Sequence, residues 1–242
     1  MTDAPKSHPR YLSLIVRDKI VDGIRKGITS EHGLIAHGRG EALDYILGEK
    51  THDFAKKAIE TAAAMLLLAK KPIISVNGNA AALVPKELIK LGKLVNAKLE
   101  VNIFHTSKKR EIKIQRHLLR NGAKQVLLPK KKLIPGIAHN RSRCNPEGIY
   151  KADVVFVPLE DGDRCQALRK MDKDVITVDL NPMSRTSKTA SITIVDNIIR
   201  AMPLLIDKTY ELRKEKKDQL EKVIKNYDNK KVLADALRAV KR

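Results

Sequence analysis

Residues 153–197 read DVVFVPLEDGDRCQALRKMDKDVITVDLNPMSRTSKTASITIVDN, and this stretch decides the fold class. Its three runs rich in β-branched residues, at residues 153–157, 174–180 and 191–195, predict strands. Between the first two runs, apolar residues at a spacing of three to four over residues 163–171 predict a helix. A strand, a helix and a second strand in succession are typical of a βαβ unit with parallel strands.

The same alternation continues toward the N-terminus. Further strands are predicted at residues 72–76, 98–104 and 125–128, and helices at residues 80–95 and 108–121. Repeated strand–helix units of this kind predict an α/β fold with a doubly wound, mainly parallel sheet.

The two ends of the chain differ from this middle part, because they carry helical patterns without strands. We predict helices at residues 10–26, 41–47, 53–70 and 197–206, and one or two amphipathic helices after residue 207 with an interruption near residues 226–229. The chain is therefore predicted to be a single domain over residues 1–242. N-terminal helices would occupy residues 1–70, the α/β core residues 71–206 and C-terminal helices residues 207–242.

The composition is that of a globular protein, with 43% hydrophobic and 31% charged residues. There is no Trp and only 3 Phe, so an aliphatic core is expected. The 2 cysteines are too few for a disulfide framework and suit a reducing compartment. No apolar signal segment opens the chain, and the longest apolar run, residues 61–69, is far shorter than the roughly 20 residues of a membrane span. We expect a cytoplasmic protein without a membrane partner.

The formal net charge of +20 is concentrated in one segment. Residues 108–143 contain twelve Lys or Arg and one acid, Glu111, which gives 12 − 1 = +11. Such a segment attracts any polyanion, RNA included. The aromatic side chains on which nucleic-acid bases usually stack are missing from it, so a solvated basic surface is favoured over RNA binding.

Two polar stretches follow predicted strands, where ligands bind in sheets of this kind. Asn77, Gly78 and Asn79 form a turn before a helix, an arrangement that suits an anion but is also an ordinary capped turn. Residues 158–164 hold three acids and an arginine, which suit Mg²⁺ or a ribose. Asp163 is equally suited to cap the next helix.

A third polar stretch, residues 184–191, contains five hydroxyl side chains together with Arg185 and Lys188. A linker does not need cations among its hydroxyl groups. A loop that binds a triphosphate does, because cationic side chains and hydroxyls both donate hydrogen bonds to phosphate oxygens. We therefore interpret this stretch as a ligand loop. Asp179 before it is suited to accept hydrogen bonds from a nucleoside, and Asn197 after it closes the last strand and caps a helix.

A glycine-flanked arginine lies outside the predicted sheet, in the segment His37-Gly38-Arg39-Gly40-Glu41. We interpret it as a turn before a helix, in which small neighbours let Arg39 reach an anion. His139 is the one histidine with a proposed catalytic role, since arginines follow it closely. With no nucleophile triad or metal-ligand cluster, the residues favour an α/β enzyme that handles nucleotides or phosphates by positioning and electrostatics.

Five motifs in order make the sequence similar to a known family. They are RYLSLIVRDKIVDGIRKGI, GLIAHGRGEALDYILGE, IPGIAH, NPEGIYKADVVFVPLEDGDR and VITVDLNPMSRTSKTASITIVDNIIRAMP, spread over nearly the whole chain. The sequence resembles the archaeal phosphopantothenate synthetases, or 4-phosphopantoate–β-alanine ligases, of coenzyme A biosynthesis. This resemblance implies a homodimer with a Rossmann-like core. It also implies ATP-dependent joining of 4-phosphopantoate to β-alanine through a phosphopantoyl-adenylate, with release of AMP and pyrophosphate.

The resemblance also implies roles for individual residues. The ATP contacts of the family fall on Arg17, Arg39, Asp179, Leu180, Asn181, Arg185, Thr186, Asn197 and Ile198. Asn77, Gly78 and Asn79 are assigned to phosphopantoate, and His139, Arg143 and Asp163 to catalysis. The segment NRSRC at residues 140–144 departs from the H-x-R-G-K-like run expected in the family, so the cation there must be Arg141 or Arg143.

Mg²⁺ is expected to bridge the phosphates, with Glu160, Asp161 or Asp163 near it. Two other functions remain as alternatives to the ligase. One is a basic RNA-binding protein, and the other is a nucleotide-sensing module of the same fold without chemistry.

Overall fold

A computed structural model describes residues 2, 4–104 and 107–240. Its α-helices are α1 (Tyr11–Arg25), α2 (Glu31–Ile46), α3 (Asp53–Leu68), α4 (Gly78–Leu83), α5 (Pro85–Leu94), α6 (Lys108–Arg120), α7 (Gly162–Lys170), α8 (Arg185–Thr189), α9 (Ile198–Leu212), α10 (Lys217–Lys225) and α11 (Asn229–Val240). Its strands are β1 (Ile73–Val76), β2 (Lys98–Val101), β3 (Val126–Leu127), β4 (Lys132–Leu133), β5 (Arg143–Cys144), β6 (Val154–Pro158), β7 (Asp174–Val178) and β8 (Ile192–Ile194), and a 3-10 helix spans Asn140–Ser142.

Six strands form one sheet in the order β3-β2-β1-β6-β7-β8, and every neighbouring pair is parallel. Each of the six predicted strands overlaps one of these sheet strands. The prediction of a doubly wound, parallel, Rossmann-like α/β fold is therefore confirmed. A separate antiparallel pair, β4 with β5, was not predicted, because two-residue strands carry no periodicity.

The strand order contains one reversal of direction, and this reversal fixes where a ligand belongs. From β1 the chain moves outward to β2 and β3, then returns to place β6 against the other side of β1 and continues to β7 and β8. In open α/β sheets the loops on either side of such a reversal diverge and leave a crevice beyond the carboxyl ends of the strands. The crevice lies here between the ends of β1 and β6.

The core is aliphatic, as expected, and lies on both faces of the sheet. Successive residues of β6 point to opposite faces, so Val155 packs in one apolar cluster and Phe156 in the other. The larger cluster joins the sheet to the N- and C-terminal helices through residues such as Ile20 of α1, Ala62 of α3 and Met202 of α9. No helix of the described part of the chain is long and apolar enough to cross a membrane.

Two helix predictions were wrong in their bounds. The segment 37–41 is not a turn, since α2 begins at Glu31 and runs through both of its glycines to Ile46. The Ser30 side chain caps this helix by accepting a hydrogen bond from the Gly33 N–H, which compensates for weak helix formers inside it. The helix predicted at residues 80–95 is two helices, because Pro85 starts α5 and cannot continue α4.

Smaller differences affect the loops near the crevice. Asp163 lies in the first turn of α7 and does not cap it, since the N-cap residue is Asp161. Residues 184–191 are not all loop, because they include the five-residue helix α8, capped by the Ser184 side chain. The last predicted helix in the core extends to Leu212, and α10 and α11 follow with the break between them where it was predicted.

Candidate active site

A cavity of about 650 Å³ opens at the crevice beyond β1 and β6. The side chains around it come from α2, from the ends of β1, β6, β7 and β8, and from α6 and the 3-10 helix. Of the fifteen residues predicted to form the site, ten lie in its wall: Arg39, Asn77, Gly78, Asn79, Asp179, Leu180, Asn181, Thr186, Asn197 and Ile198. Strand ends that are distant in sequence meet here because the strands are parallel and adjacent.

The end of β1 forms one end of the cavity. The Asn77 side chain donates to the carbonyls of Pro158 and Leu159, at 2.9 and 3.0 Å, and so ties the end of β1 to the end of β6. Gly78 has room for no side chain, since a Cβ there would lie 2.6 Å from the Ile28 carbonyl oxygen. The Asn79 side chain donates to the Gly33 carbonyl at 2.8 Å, which holds the start of α2 over this end.

The ends of β7 and β8 form the opposite end. Asp179 is held in place by the Asn181 N–H at 2.9 Å and by the Ser184 hydroxyl at 2.5 Å. Burial raises the pKa of the Asp179 carboxyl even though these hydrogen bonds favour its charged form. Thr186 is buried and donates its hydroxyl proton to the Glu160 carbonyl at 3.0 Å, so it also links β7's loop to that of β6.

Asn197 belongs to a network that fastens the far end of α2 to α9. Its side chain donates to Asp44 at 2.8 Å, and the Arg200 guanidinium bridges Asp44 and Asp196 at 2.5 and 2.7 Å. Burial lowers the pKa of Arg200, but the hydrogen bonds and charges of Asp44 and Asp196 outweigh it and raise that pKa overall. The guanidinium therefore stays charged and neutralises carboxylates in the cavity wall.

A second ion network lies in the middle of the wall. Arg141 is 3% exposed and pairs with Glu160 at 3.0 Å and with Asp161, while its Nε donates to Asn102 at 3.2 Å. Arg164, behind it, pairs with the other oxygen of Glu160 and donates to Ser75 at 3.0 Å. The remaining nitrogen of Arg141, Nη2, is buried and has no hydrogen-bond partner among the described residues. Arg164 Nε is likewise buried without a partner among the described residues. Of these two arginines only Arg141 lines the cavity, so its Nη2 is the donor placed to meet a ligand.

Five predicted residues lie outside the cavity wall. Arg17 binds Glu41 of the wall through its Nε, at 2.9 and 3.0 Å, and that hydrogen bond raises the pKa of Arg17. Arg185 and Asp163 form an exposed ion pair at 2.7 Å beside the α7 and α8 N-termini. The last two, His139 and Arg143, are described below.

His139 and Arg143 flank the residue that does reach the cavity. His139 lies behind Phe104, with ring centroids 5.0 Å apart, and accepts a hydrogen bond from the Arg141 N–H. The Arg143 side chain is exposed, and its backbone carbonyl accepts from Asn102 at 3.0 Å. Of the two arginines that the sequence allowed as the cation of this segment, the structure therefore turns Arg141 toward the cavity.

Comparison with known proteins agrees with the motifs of the sequence. The family described as phosphopantothenate/pantothenate synthetase matches residues 54–242. The chain belongs to this family. It is 51% identical over 240 residues to the 4-phosphopantoate–β-alanine ligase of Thermococcus kodakarensis, covering 98% of this chain and 92% of that protein. It is 49% identical over 237 residues to the protein of the same name from Methanosarcina mazei, covering 98% and 94%. The predicted family is confirmed.

Several residues that line the cavity of this member of the phosphopantothenate/pantothenate synthetase family were assigned no role from the sequence. His37 and Glu41 belong to the segment 37–41, in which only Arg39 was assigned a role, and Arg110 was counted only as part of the basic segment. The packing of α2 and α6 turns all three toward the cavity. Arg110 is half-buried, and its Nε donates to the Ile28 carbonyl at 3.2 Å. Arg110 and Arg141 both come from the basic segment 108–143, so part of that charge faces the cavity.

The carboxylates near the cavity of this family member suit a metal ion that is bound mainly by the substrates of the protein. Among the described residues no three His, Cys, Asp or Glu side chains converge on one point. Glu160 is enclosed by two arginines. Asp161 and Asp163 each pair with one arginine and have side chains 42% and 52% exposed, but of these two only Asp161 lies in the wall. Mg²⁺ is commonly bound through one or two carboxylates together with phosphates, which fits Asp161.

Proposed function

We propose that the chain is an ATP-dependent ligase that condenses 4-phosphopantoate with β-alanine to 4-phosphopantothenate in coenzyme A biosynthesis. The observation that carries this proposal is the identity of about 51% to a ligase of that name over 98% of the chain. The cavity supports it independently, because it has polar ends suited to two substrates and a wall that joins them.

ATP is assigned to the end formed by β7 and β8. Asp179, Leu180 and Asn181 are suited to hold the nucleoside, and Asn197 and Ile198 lie beside them. Arg39 in the wall is suited to a phosphate, because a guanidinium donates two parallel hydrogen bonds to phosphate oxygens. Arg185 is an exposed neighbour that reaches a phosphate only by leaving Asp163. We assign Arg17 an indirect role through Glu41.

Phosphopantoate is assigned to the end formed by Asn77, Gly78 and Asn79, with Arg110 and Arg141 as its cations. Arg141 replaces Arg143 in this assignment, because its Nη2 lies buried in the wall and lacks a partner among the described residues. His139 then acts as a support that positions Arg141 through its backbone hydrogen bond.

The reaction that this arrangement supports has two steps. The phosphopantoate carboxylate attacks the α-phosphorus of ATP, which forms a phosphopantoyl-adenylate and releases pyrophosphate. The β-alanine amine then attacks the acyl carbon and releases AMP. The protein brings two polyanions together, and arginines from separate helices offset their repulsion. Mg²⁺, when bound, neutralises charge on the phosphates, and Asp161 is the residue we assign to it.

The carboxylates of the wall do not cancel this positive charge, because arginines neutralise most of them. Glu41 pairs with Arg17, Glu160 with Arg164, and Asp196 with Arg200, each of these arginines lying behind the wall. Arg141 of the wall itself also pairs with Glu160 and Asp161, so its Nη2 is the part left for a substrate.

We also propose that the enzyme is a cytoplasmic homodimer that pairs through α1 and α2. These helices expose an apolar face, with Leu12 at 67%, Ile35 at 66% and Ile46 at 53% exposure. Exposed apolar patches of this kind mark interaction surfaces. A second copy of the chain is the partner that the resemblance implies, and Arg17 and Arg39 lie on the same two helices.

An assay of AMP formation from ATP tests the function. AMP is expected when 4-phosphopantoate and β-alanine are both present, and little when either is omitted. Equal activity with unphosphorylated pantoate would refute the substrate assignment. Steeply salt-dependent RNA binding without AMP formation would favour the RNA-binding alternative, and ATP binding without turnover the sensing module.

A further inference from the structure

Among the residues that the structure describes, one histidine lines the cavity, His37, and the substrate assignments give it no role. It lies in the wall on α2, and its Nε2 atom is buried without a hydrogen-bond partner in residues 2, 4–104 and 107–240. A buried ring nitrogen loses its hydrogen bond to water, which is unfavourable unless a ligand provides one. His37 is therefore a candidate for direct contact with a substrate.

The position of His37 along α2 places it between the two ends of the cavity. Residues three to four apart share one face of a helix, so Gly33, His37, Gly40 and Asp44 lie on one stripe. The Gly33 carbonyl accepts from Asn79 of the phosphopantoate end, and Asp44 accepts from Asn197 of the ATP end. The eleven residue steps from Gly33 to Asp44 span about 16 Å along the helix axis, and His37 lies about 6 Å from Gly33.

Gly40 also belongs to this stripe and approaches the ATP end, since a Cβ on it would lie 3.7 Å from the Leu180 Cδ1. The carboxylate of one substrate and the α-phosphate of the other must meet between the two ends. The acyl-adenylate bond therefore forms close to His37, and the amine must arrive at the same place.

The charge state of His37 suits the acceptance of a proton. Burial lowers the pKa of its imidazole, Glu41 opposes this shift and Arg17 adds to it. The ring is therefore neutral at pH 7, with a lone pair available on one nitrogen. Other charged groups of the wall are Arg39 on its own helix, Arg110, Arg141, Glu160, Asp161, Asp179 and Asp196.

We propose that His37 is the general base that takes a proton from the β-alanine ammonium in the second step. This inference rests on the proposed function. The ammonium gives one proton to His37 Nε2, and the free amine attacks the acyl carbon of the adenylate. A C–N bond forms, and the C–O bond breaks with its electron pair on the AMP phosphate. The nitrogen loses its remaining extra proton to water, and the imidazolium returns to neutral by releasing its own.

The test separates the two steps in His37→Gln. Exchange of pyrophosphate into ATP needs phosphopantoate and no amine, so it is expected to stay within about threefold of wild type. AMP formation with β-alanine at pH 7 is expected to fall by about 100-fold or more, the usual range for a lost general base. Hydroxylamine is largely unprotonated at pH 7, so its reaction with the adenylate should differ little between the two proteins.

His32→Gln is the matched control, because His32 lies on the same helix and outside the cavity wall. It is expected to keep both steps at the wild-type rate. Equal losses of exchange and amide formation in His37→Gln would overturn the proposal, as would undiminished amide formation. Wild-type enzyme without exchange, AMP formation or binding of ATP would instead refute the proposed function.

The wild-type pH dependence gives a second measurement that does not depend on the folding of a variant. Adenylate is formed first, and the rate of amide formation after addition of saturating β-alanine is then followed from pH 6 to 9. With His37 as base, this rate is level above the pKa of His37. Without a base it rises about tenfold per pH unit toward the pKa of the amine, near 10 as in lysine, and such a rise in wild type would overturn the proposal.

Discussion

Glu100 is a buried carboxyl group whose protonation should control the stability of the fold near neutral pH. It lies in β2 with 0% exposure and accepts the Asn145 and Ile149 N–H groups, both at 2.7 Å. Burial raises its pKa from 4.5 to about 7, against the effect of these two donors and of Arg164. Glu100 thus holds the segment that leads into β6 while carrying a charge that burial disfavours.

The sign of the effect follows from the raised pKa. An acid with a higher pKa in the folded state binds its proton more tightly there, so its contribution to stability is full below pH 4.5 and is lost as the pH rises through 7. The pKa of Glu100 differs by about 2.5 units between the folded and unfolded states. At about 1.36 kcal/mol per pKa unit, its protonation contributes about 3.4 kcal/mol to stability. About 2.5 kcal/mol of this contribution to stability is lost between pH 5 and pH 8.

Glu100→Gln removes the titration and provides the test. Glutamine keeps one oxygen acceptor, so the variant loses about one hydrogen bond, or about 1 kcal/mol, at every pH. The free energy of unfolding of the variant minus that of wild type should therefore rise by about 2.5 kcal/mol from pH 5 to pH 8. In thermal unfolding this corresponds to about 5–10 °C for a chain of this size.

The measurement is urea or thermal unfolding of both proteins at several pH values. Glu147→Gln is the matched control, because Glu147 is exposed and the hydrogen bond from Lys151 lowers its pKa. The difference in free energy of unfolding between Glu147→Gln and wild type should change little with pH. The small change that remains should have the opposite sign to that of Glu100→Gln. A difference for Glu100→Gln that stays constant between pH 5 and 8 would refute the reasoning.

Four further substitutions test the site, the dimer, and the packing and helix stability around the cavity. Arg39→Ala should weaken ATP use about 10-fold to 100-fold, the value of a charge-assisted hydrogen bond, and unchanged kinetics in pyrophosphate exchange would remove it from the ATP site. Ile35→Lys should yield monomers in analytical ultracentrifugation, since Ile35 is 66% exposed on the proposed dimer face, and an unaltered dimer would place the interface elsewhere. Gly78→Ala should lower stability by about 1–3 kcal/mol, because its Cβ would lie 2.6 Å from the Ile28 carbonyl oxygen. Gly38→Ala in α2 has no atom within 4 Å of its Cβ and should raise stability by up to about 1 kcal/mol, so thermal unfolding that ranks the two in reverse would contradict this account.

The polar residues at strand ends were predictable from the sequence. Asn77 and Asp179 each follow a short β-branched run, and parallel strands bring such positions to one edge of a sheet. Helical residues were harder to place. Arg39 lines the cavity, but it lies on a helix where a turn was predicted. His37 belongs to the same segment but was assigned no role, since its contact with the cavity depends on the angle at which α2 crosses the strand ends.

The sequence by itself determined the parallel α/β fold and the family. The period of its apolar residues is a local property of each segment, and the order of the segments fixes which strands are parallel. Tertiary structure alone decided which charges face the substrates. Arg141 and Arg143 are two residues apart and equally basic in the sequence. In the structure Arg141 is 3% exposed beside Glu160, whereas the Arg143 side chain is exposed. Only the packing of the 3-10 helix against the loop after β6 produces this difference.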